Sequence, residues 1–191
     1  MTSERLWAPW RLDYVTGEKS SVEEPPLPEP LAWQAGADEH CFLCRDAARY
    51  DSPAADRVLH VAARDAHAMV VLNRYPYNNG HLMVAPLRHV ATLAEMTRDE
   101  HIACLAWLTR LTAILSEQLR AEGFNIGLNL GRVAGAGCPG HLHWHIVPRW
   151  SGDNNFMSAV AGTRVIPQSL DALWDLLTDA LPAPTATTKN A

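Results

Sequence analysis

The chain has 191 residues, of which 48% are hydrophobic and 19% charged, and it carries a formal net charge of −5. This suits one globular domain with an appended arm. The acidic balance argues against non-specific binding to nucleic acid or an anionic membrane, and no stretch approaches the roughly 18 apolar residues of a membrane span. The N-terminus reads as neither signal peptide nor anchor, so a cytoplasmic protein is expected. Its four cysteines (Cys41, Cys44, Cys104, Cys138) then read as reduced thiols or metal ligands, not as a disulfide framework.

Residues 1–40 form an arm whose "EEPPLPEP" at 23–30 is too proline-rich for helix or central strand, while Trp7, Trp10 and Trp33 predict that it packs on something. After "CFLC", a short helix is expected over 45–50, ended by Ser52 and Pro53. Three strands follow: "RVLHVAAR" (57–64), "AHAMVVLN" (66–73) and "GHLMVAP" (80–86), the last two joined through an Asn-Gly turn. Thr97 and Glu100 make a capping box for a long helix running to about Glu122, with Gly123 as its C-cap. Cys104, Leu108, Leu111, Leu115 and Leu119 form its apolar stripe. Ile102, Trp107 and Ile114 lie off that stripe, which fits either core burial or a partner subunit. Two more strands, "FNIGLNL" (124–130) and "HLHWHIV" (141–147), flank a glycine-rich loop. Residues 151–191 are an extension with a helix at about 168–181 and a disordered end. The order of elements predicts an α+β domain over 41–150 with an antiparallel sheet.

His141, His143 and His145 recur at two-residue intervals between strand-forming neighbours. On a strand they would share one face, successive rings roughly 7 Å apart. Like charges so close lower each other's pKa, so at least one imidazole should be neutral at pH 7, as a metal ligand or a nucleophile. The loop before them, "GRVAGAGCPG", has glycines at 131, 135, 137 and 140, which lets backbone N–H groups form an anion nest. A phosphate nest beside a neutral imidazole is equipment for attack on phosphorus. Cys41 and Cys44 alone read equally as a redox pair, buried thiols or half a zinc site.

"HLHWHIV" fits the histidine-triad pattern, and "VVLNRYPYNNGHLMVAPLRH" is similar to the nucleotide-binding strand pair of the same superfamily. The chain therefore resembles the histidine triad (HIT) superfamily over residues 41–150, and through "GLNLGRVAGAGCPGHLHWHIVPRWSGDNNFM" its diadenosine tetraphosphate phosphorylase or hydrolase branch. The resemblance implies a HIT-like fold and covalent histidine catalysis. It makes His143 the nucleophile on the α-phosphorus and His145 a phosphate contact. Asn73 is implied at the ribose hydroxyls, with His81 and Asn129 near the phosphates. The usual Gln, Ser or Thr before the first histidine is missing, which leaves Gly137 N–H or Cys138 for the leaving group. Trp150, just past the triad strand, is expected to stack on adenine or close the pocket. The resemblance also pairs Cys41 and Cys44 with His89 and His141 as a structural zinc site.

The expected activity is cleavage of dinucleoside polyphosphates at the α-phosphate, with Mg²⁺ able to accompany the polyphosphate. The alternatives are an adenosine phosphoramidate hydrolase and a non-catalytic AMP-binding protein. The partners expected are an adenine nucleotide and a second copy of the chain in a homodimer.

Overall fold

A computed structural model describes residues 29–50, 52–153 and 166–181. The readings of Trp7, Trp10, most of the proline-rich run and the end beyond residue 181 lie outside the described residues. Five strands, β1 (Val61–Arg64), β2 (Ala68–Leu72), β3 (Leu82–Pro86), β4 (Gly123–Leu128) and β5 (Trp144–Arg149), form one antiparallel sheet in the order β1-β2-β3-β5-β4. Among the described residues four α-helices accompany it: α1 (Phe42–Ala47), α2 (Pro53–Leu59), α3 (Arg98–Leu119) and α4 (Leu170–Ala180). The α+β expectation holds, and among the described residues no helix is long and apolar enough to cross a membrane.

Both faces of the central strands are covered, so β2 and β3 are buried at every residue. Alternation sorts their side chains. Val70, Leu72, Leu82 and Val84 join the cluster under α3 and α4, where Leu108, Leu111, Leu115, Leu173 and Leu177 are buried. Met69, Val71, Met83 and Ala85 face the other way, against Leu43, Cys44 and Ala47 of α1. Each fully buried leucine contributes about 1.5–3 kcal/mol. The large cluster therefore fixes the sheet, and the smaller one becomes the floor of the site. Trp107 belongs to the core: its ring is buried and Nε1 donates to Asp65 Oδ2 at 2.8 Å. Ile114 packs on the same cluster, while Ile102 is 54% exposed.

Several boundaries differ from the sequence reading. The short helix begins at Phe42, so the two cysteines sit at its start and not before it. Arg57–Leu59 end α2, capped by Ser52 at the start and by His60 in the left-handed region (φ 57°), and the strand begins only at Val61. Proline at the first helical turn and a side-chain cap outweigh the strand propensity of "RVL". At its other end, α3 stops at Leu119 with Arg120 left-handed (φ 54°). Glu122 N–H donates to Arg149 O at 2.9 Å, so Gly123 opens β4 and is not a helix cap. β5 starts at Trp144, leaving His141 and His143 in the extended approach to the strand.

Candidate active site and metal cluster

Cross-strand register builds the floor. Val71 of β2 pairs with Met83 of β3, and Met83 pairs with His145 of β5. Over this row opens a cavity of about 230 Å³, lined by Phe42, Leu59, Val71 and Met83, with Asn73, His143, His145, Gly135 and Gly137 on its polar side. Asp46, Arg45 and Arg74 also line it. Gly131 (φ 79°) and Gly135 (φ 87°) hold the preceding loop in left-handed backbone that other residues adopt only under strain.

Hydrogen bonds fix which imidazole nitrogen carries each proton. His143 Nδ1 lies 2.8 Å from the carbonyl of His141, an acceptor only, so Nδ1 holds the hydrogen and Nε2 keeps its lone pair. Burial, its largest cause, pushes the His143 pKa down, with the bond to the His141 carbonyl opposing it. The ring therefore stays neutral at pH 7. Tyr77 N–H donates to His81 Nδ1 at 3.0 Å, so His81 donates from Nε2 to His145 Nδ1, also at 3.0 Å. His145 consequently carries its proton on Nε2. The rings of His143 and His145 stand 5.0 Å apart, edge to face.

The three triad rings do not line one strand face. His141 turns the opposite way: Nε2 donates to Pro86 O at 2.9 Å, and Nδ1 points its lone pair at Cys41 and Cys44 Sγ, each 3.5 Å away. His89 Nδ1 is 3.1 Å from Cys44 Sγ. The donor atoms of Cys41, Cys44, His89 and His141 all lie within 4.8 Å of one another. Zn–S bonds near 2.3 Å and Zn–N bonds near 2.0–2.1 Å at tetrahedral angles give S···N edges of about 3.6 Å, close to what these pairs show. Gly140 makes room for the cluster, since a Cβ there would stand 3.1 Å from His89 Nε2. The hydrogen bond with Cys138 pulls the Cys41 thiol well below its ordinary value, toward the thiolate a metal ligand needs.

The remaining expected residues are spread more widely. Asn73 lines the cavity, and its Oδ1 accepts from Tyr75 N–H at 2.8 Å. His81 is fully buried behind His145 and does not line the cavity. Cys138 sits at the metal cluster, Sγ 3.4 Å from Cys41 Sγ. Asn129 lines a second, open groove over β4 on the far side of His145. Trp150 lines neither, and its Nε1 donates to Leu119 O at 3.1 Å, closing the C-terminal end of α3. Sequence reading missed Phe42, Leu59, Val71 and Met83, which resemble ordinary core, and Asp46, which burial pushes up to about 7 against the pull of Arg45, Arg74 and Arg64.

The HIT domain family matches residues 58–152. Over 167 residues the chain is 37% identical to an AP-4-A phosphorylase of Mycobacterium tuberculosis, an alignment spanning 87% of this chain and 78% of that one. The chain belongs to the HIT family. Among solved structures, the C. elegans NitFhit protein matches with a TM-score of 0.53 at 26% identity, covering 70% of this chain and 29% of that one. A Zn-bound histidine triad family protein of Mycobacterium smegmatis matches with a TM-score of 0.52 at 27% identity, covering 63% of this chain and 81% of that one.

Proposed function

We propose that the chain is a HIT-type nucleotide hydrolase or phosphorylase acting on dinucleoside polyphosphates. The observation that carries the reading is the His143 tautomer: a neutral imidazole, its Nδ1–H spent on the His141 carbonyl, bordering the cavity with Nε2 as the basic nitrogen. Nε2 attacks the α-phosphorus and forms a P–N bond, while the P–O bond to the departing nucleoside polyphosphate breaks. The N–H groups around Gly135 and Gly137, with His145 Nε2–H, take up the negative charge on the phosphoryl oxygens, which supplies the largest share of the rate. Water or inorganic phosphate then displaces the nucleoside monophosphate from His143. Asn73 stands where it can meet the ribose, and the apolar floor takes the base. The AP-4-A phosphorylase of M. tuberculosis supports the same substrate class here.

Cys41, Cys44, His89 and His141 would hold a structural zinc ion. It would tie α1 to the segment carrying His143 and supply no step of the chemistry.

The test is incubation with diadenosine tetraphosphate, with and without phosphate, plus an acid-labile nucleotidyl-protein trapped by rapid quench. ADP and ATP formed only with phosphate identify a phosphorylase and AMP and ATP a hydrolase, whereas two ADP would place the cleavage between the β and γ phosphates and refute attack at the α-phosphorus. Binding without turnover would refute the enzymatic reading, and turnover with no trapped adduct in a single-turnover quench would refute the covalent step.

A further inference from the structure

Asp46 is the one carboxylate among the described residues lining the cavity. It lies in α1, is 3% exposed, and lines the cavity beside Phe42, Leu59 and Val71. Its Oδ1 has no hydrogen-bond partner among the described residues. Arg45 Nε stands 3.9 Å away, an ion pair that balances the charge but is too long to be a hydrogen bond. A buried acceptor without a partner is costly, and such groups persist where a ligand satisfies them.

Its position within the cavity gives that ligand its orientation. The floor runs from His145 through Met83 to Val71, and Leu59 extends the lining on the β1 side. Neighbouring strands lie about 4.8 Å apart, so the row from His145 on β5 to Val71 on β2 spans about 10 Å, room for a ribose and a base. Phosphate chemistry occupies the histidine end. A base seated on the apolar lining would then meet Asp46 beside Phe42, Leu59 and Val71.

We propose that Asp46 is the polar anchor of the base subsite, its carboxyl oxygen accepting an N–H from the exocyclic amine of a purine seated among Phe42, Leu59 and Val71. The inference rests on the nucleotide reading above and adds what that reading leaves open, a reason for the site to prefer an amine-bearing base. Apolar walls alone accept bases of similar shape almost equally, whereas a buried acceptor penalises a base that leaves it unpaired.

Titration calorimetry with AMP and with purine riboside 5′-monophosphate, the same ligand without its amine, tests it without any turnover. The unmodified protein should bind AMP about tenfold more tightly, the worth of one hydrogen bond to a charged or strongly polar buried group. Asp46→Ala should weaken AMP by that factor and leave the amine-free ligand unchanged, while Asp46→Asn, which keeps an acceptor oxygen, should retain the preference. An equal loss for both ligands would make Asp46 structural and overturn the assignment, as would a preference that survives in Asp46→Ala. If neither variant folds, the unmodified protein still decides, since equal affinities for the two ligands refute the contact. Binding of neither ligand would remove the nucleotide reading itself.

Discussion

Removing the metal tests the Cys41–Cys44–His89–His141 cluster most directly. Without an ion, the cluster leaves two sulfurs and two imidazole nitrogens crowded together, with Cys44 Sγ 3.1 Å from His89 Nδ1 and 3.5 Å from His141 Nδ1. Only the folded chain assembles this set, because Cys41 and His141 are 100 residues apart in sequence. Binding to the folded state alone stabilises it by RT ln(1 + [L]/Kd), about 4 kcal/mol when free zinc is a thousand times Kd. In a domain of this size each kcal/mol moves the melting temperature by about 2–4 °C, so chelation should lower Tm by roughly 8–16 °C. Differential scanning calorimetry with and without a chelator reads the shift, and elemental analysis should find one zinc per chain. Cys44→Ser should melt near the chelated protein and ignore the chelator. A stoichiometric metal-free protein whose Tm does not respond to added zinc would refute the cluster as a metal site.

His143→Ala should lower turnover by several orders of magnitude while AMP affinity in calorimetry stays within a few-fold, because the proposed nucleophile is lost and the proposed base and ribose contacts lie elsewhere. Trp150→Ala should lower Tm and leave nucleotide affinity unchanged, since its indole closes the end of α3 at Leu119 and does not border the cavity; a tenfold loss of affinity at unchanged Tm would put the ring at the substrate after all. Glu100, which accepts two 2.7 Å hydrogen bonds from Arg88, is held by that pairing at about 2, below its ordinary 4.5. A depressed folded-state pKa stabilises above the unfolded value and loses that contribution as pH falls from about 4.5 toward 2. Urea midpoints at pH 6 and pH 3 should therefore differ less in Arg88→Met than in the parent, and equal differences would count against the pairing.

What could be read from the sequence follows from how local its causes are. The α3 capping box is two residues three positions apart, and Thr97 and Glu100 satisfy each other as the spacing requires. The strands β2 and β3 and the turn between them were legible for the same reason, each being set by a short run of propensities. Where two local signals compete, the reading fails. At "RVL" the strand formers lose to the Pro53 helix start, and at Gly123 the cap signal loses to pairing with Arg149 across the sheet. The site divides in the same way. His143 and Asn73 border one cavity, but Trp150 and Cys138, adjacent to the motif in sequence, are drawn off by partners at Leu119 and Cys41 that spacing cannot reveal.

The triad itself shows why spacing alone misleads about chemistry. Two-residue intervals suggest three equivalent imidazoles, and mutual repulsion among them as the source of neutrality. Instead each ring is given a different role by a different backbone group. The Pro86 carbonyl takes the His141 Nε2–H and turns Nδ1 to the thiols, the His141 carbonyl takes the His143 Nδ1–H and leaves Nε2 basic, and the Tyr77 N–H, through His81, makes His145 a donor at Nε2. The three tautomers and orientations are thus set by two carbonyls and one amide. The His141 carbonyl that orients His143, the proposed nucleophile, belongs to the residue whose ring faces the thiols, so the candidate metal cluster and His143 are linked across a single peptide segment. Loss of zinc should therefore reach catalysis through the position of that carbonyl. It should appear as a fall in kcat larger than any change in nucleotide affinity, and a chelated protein that keeps full kcat while folded would break the link.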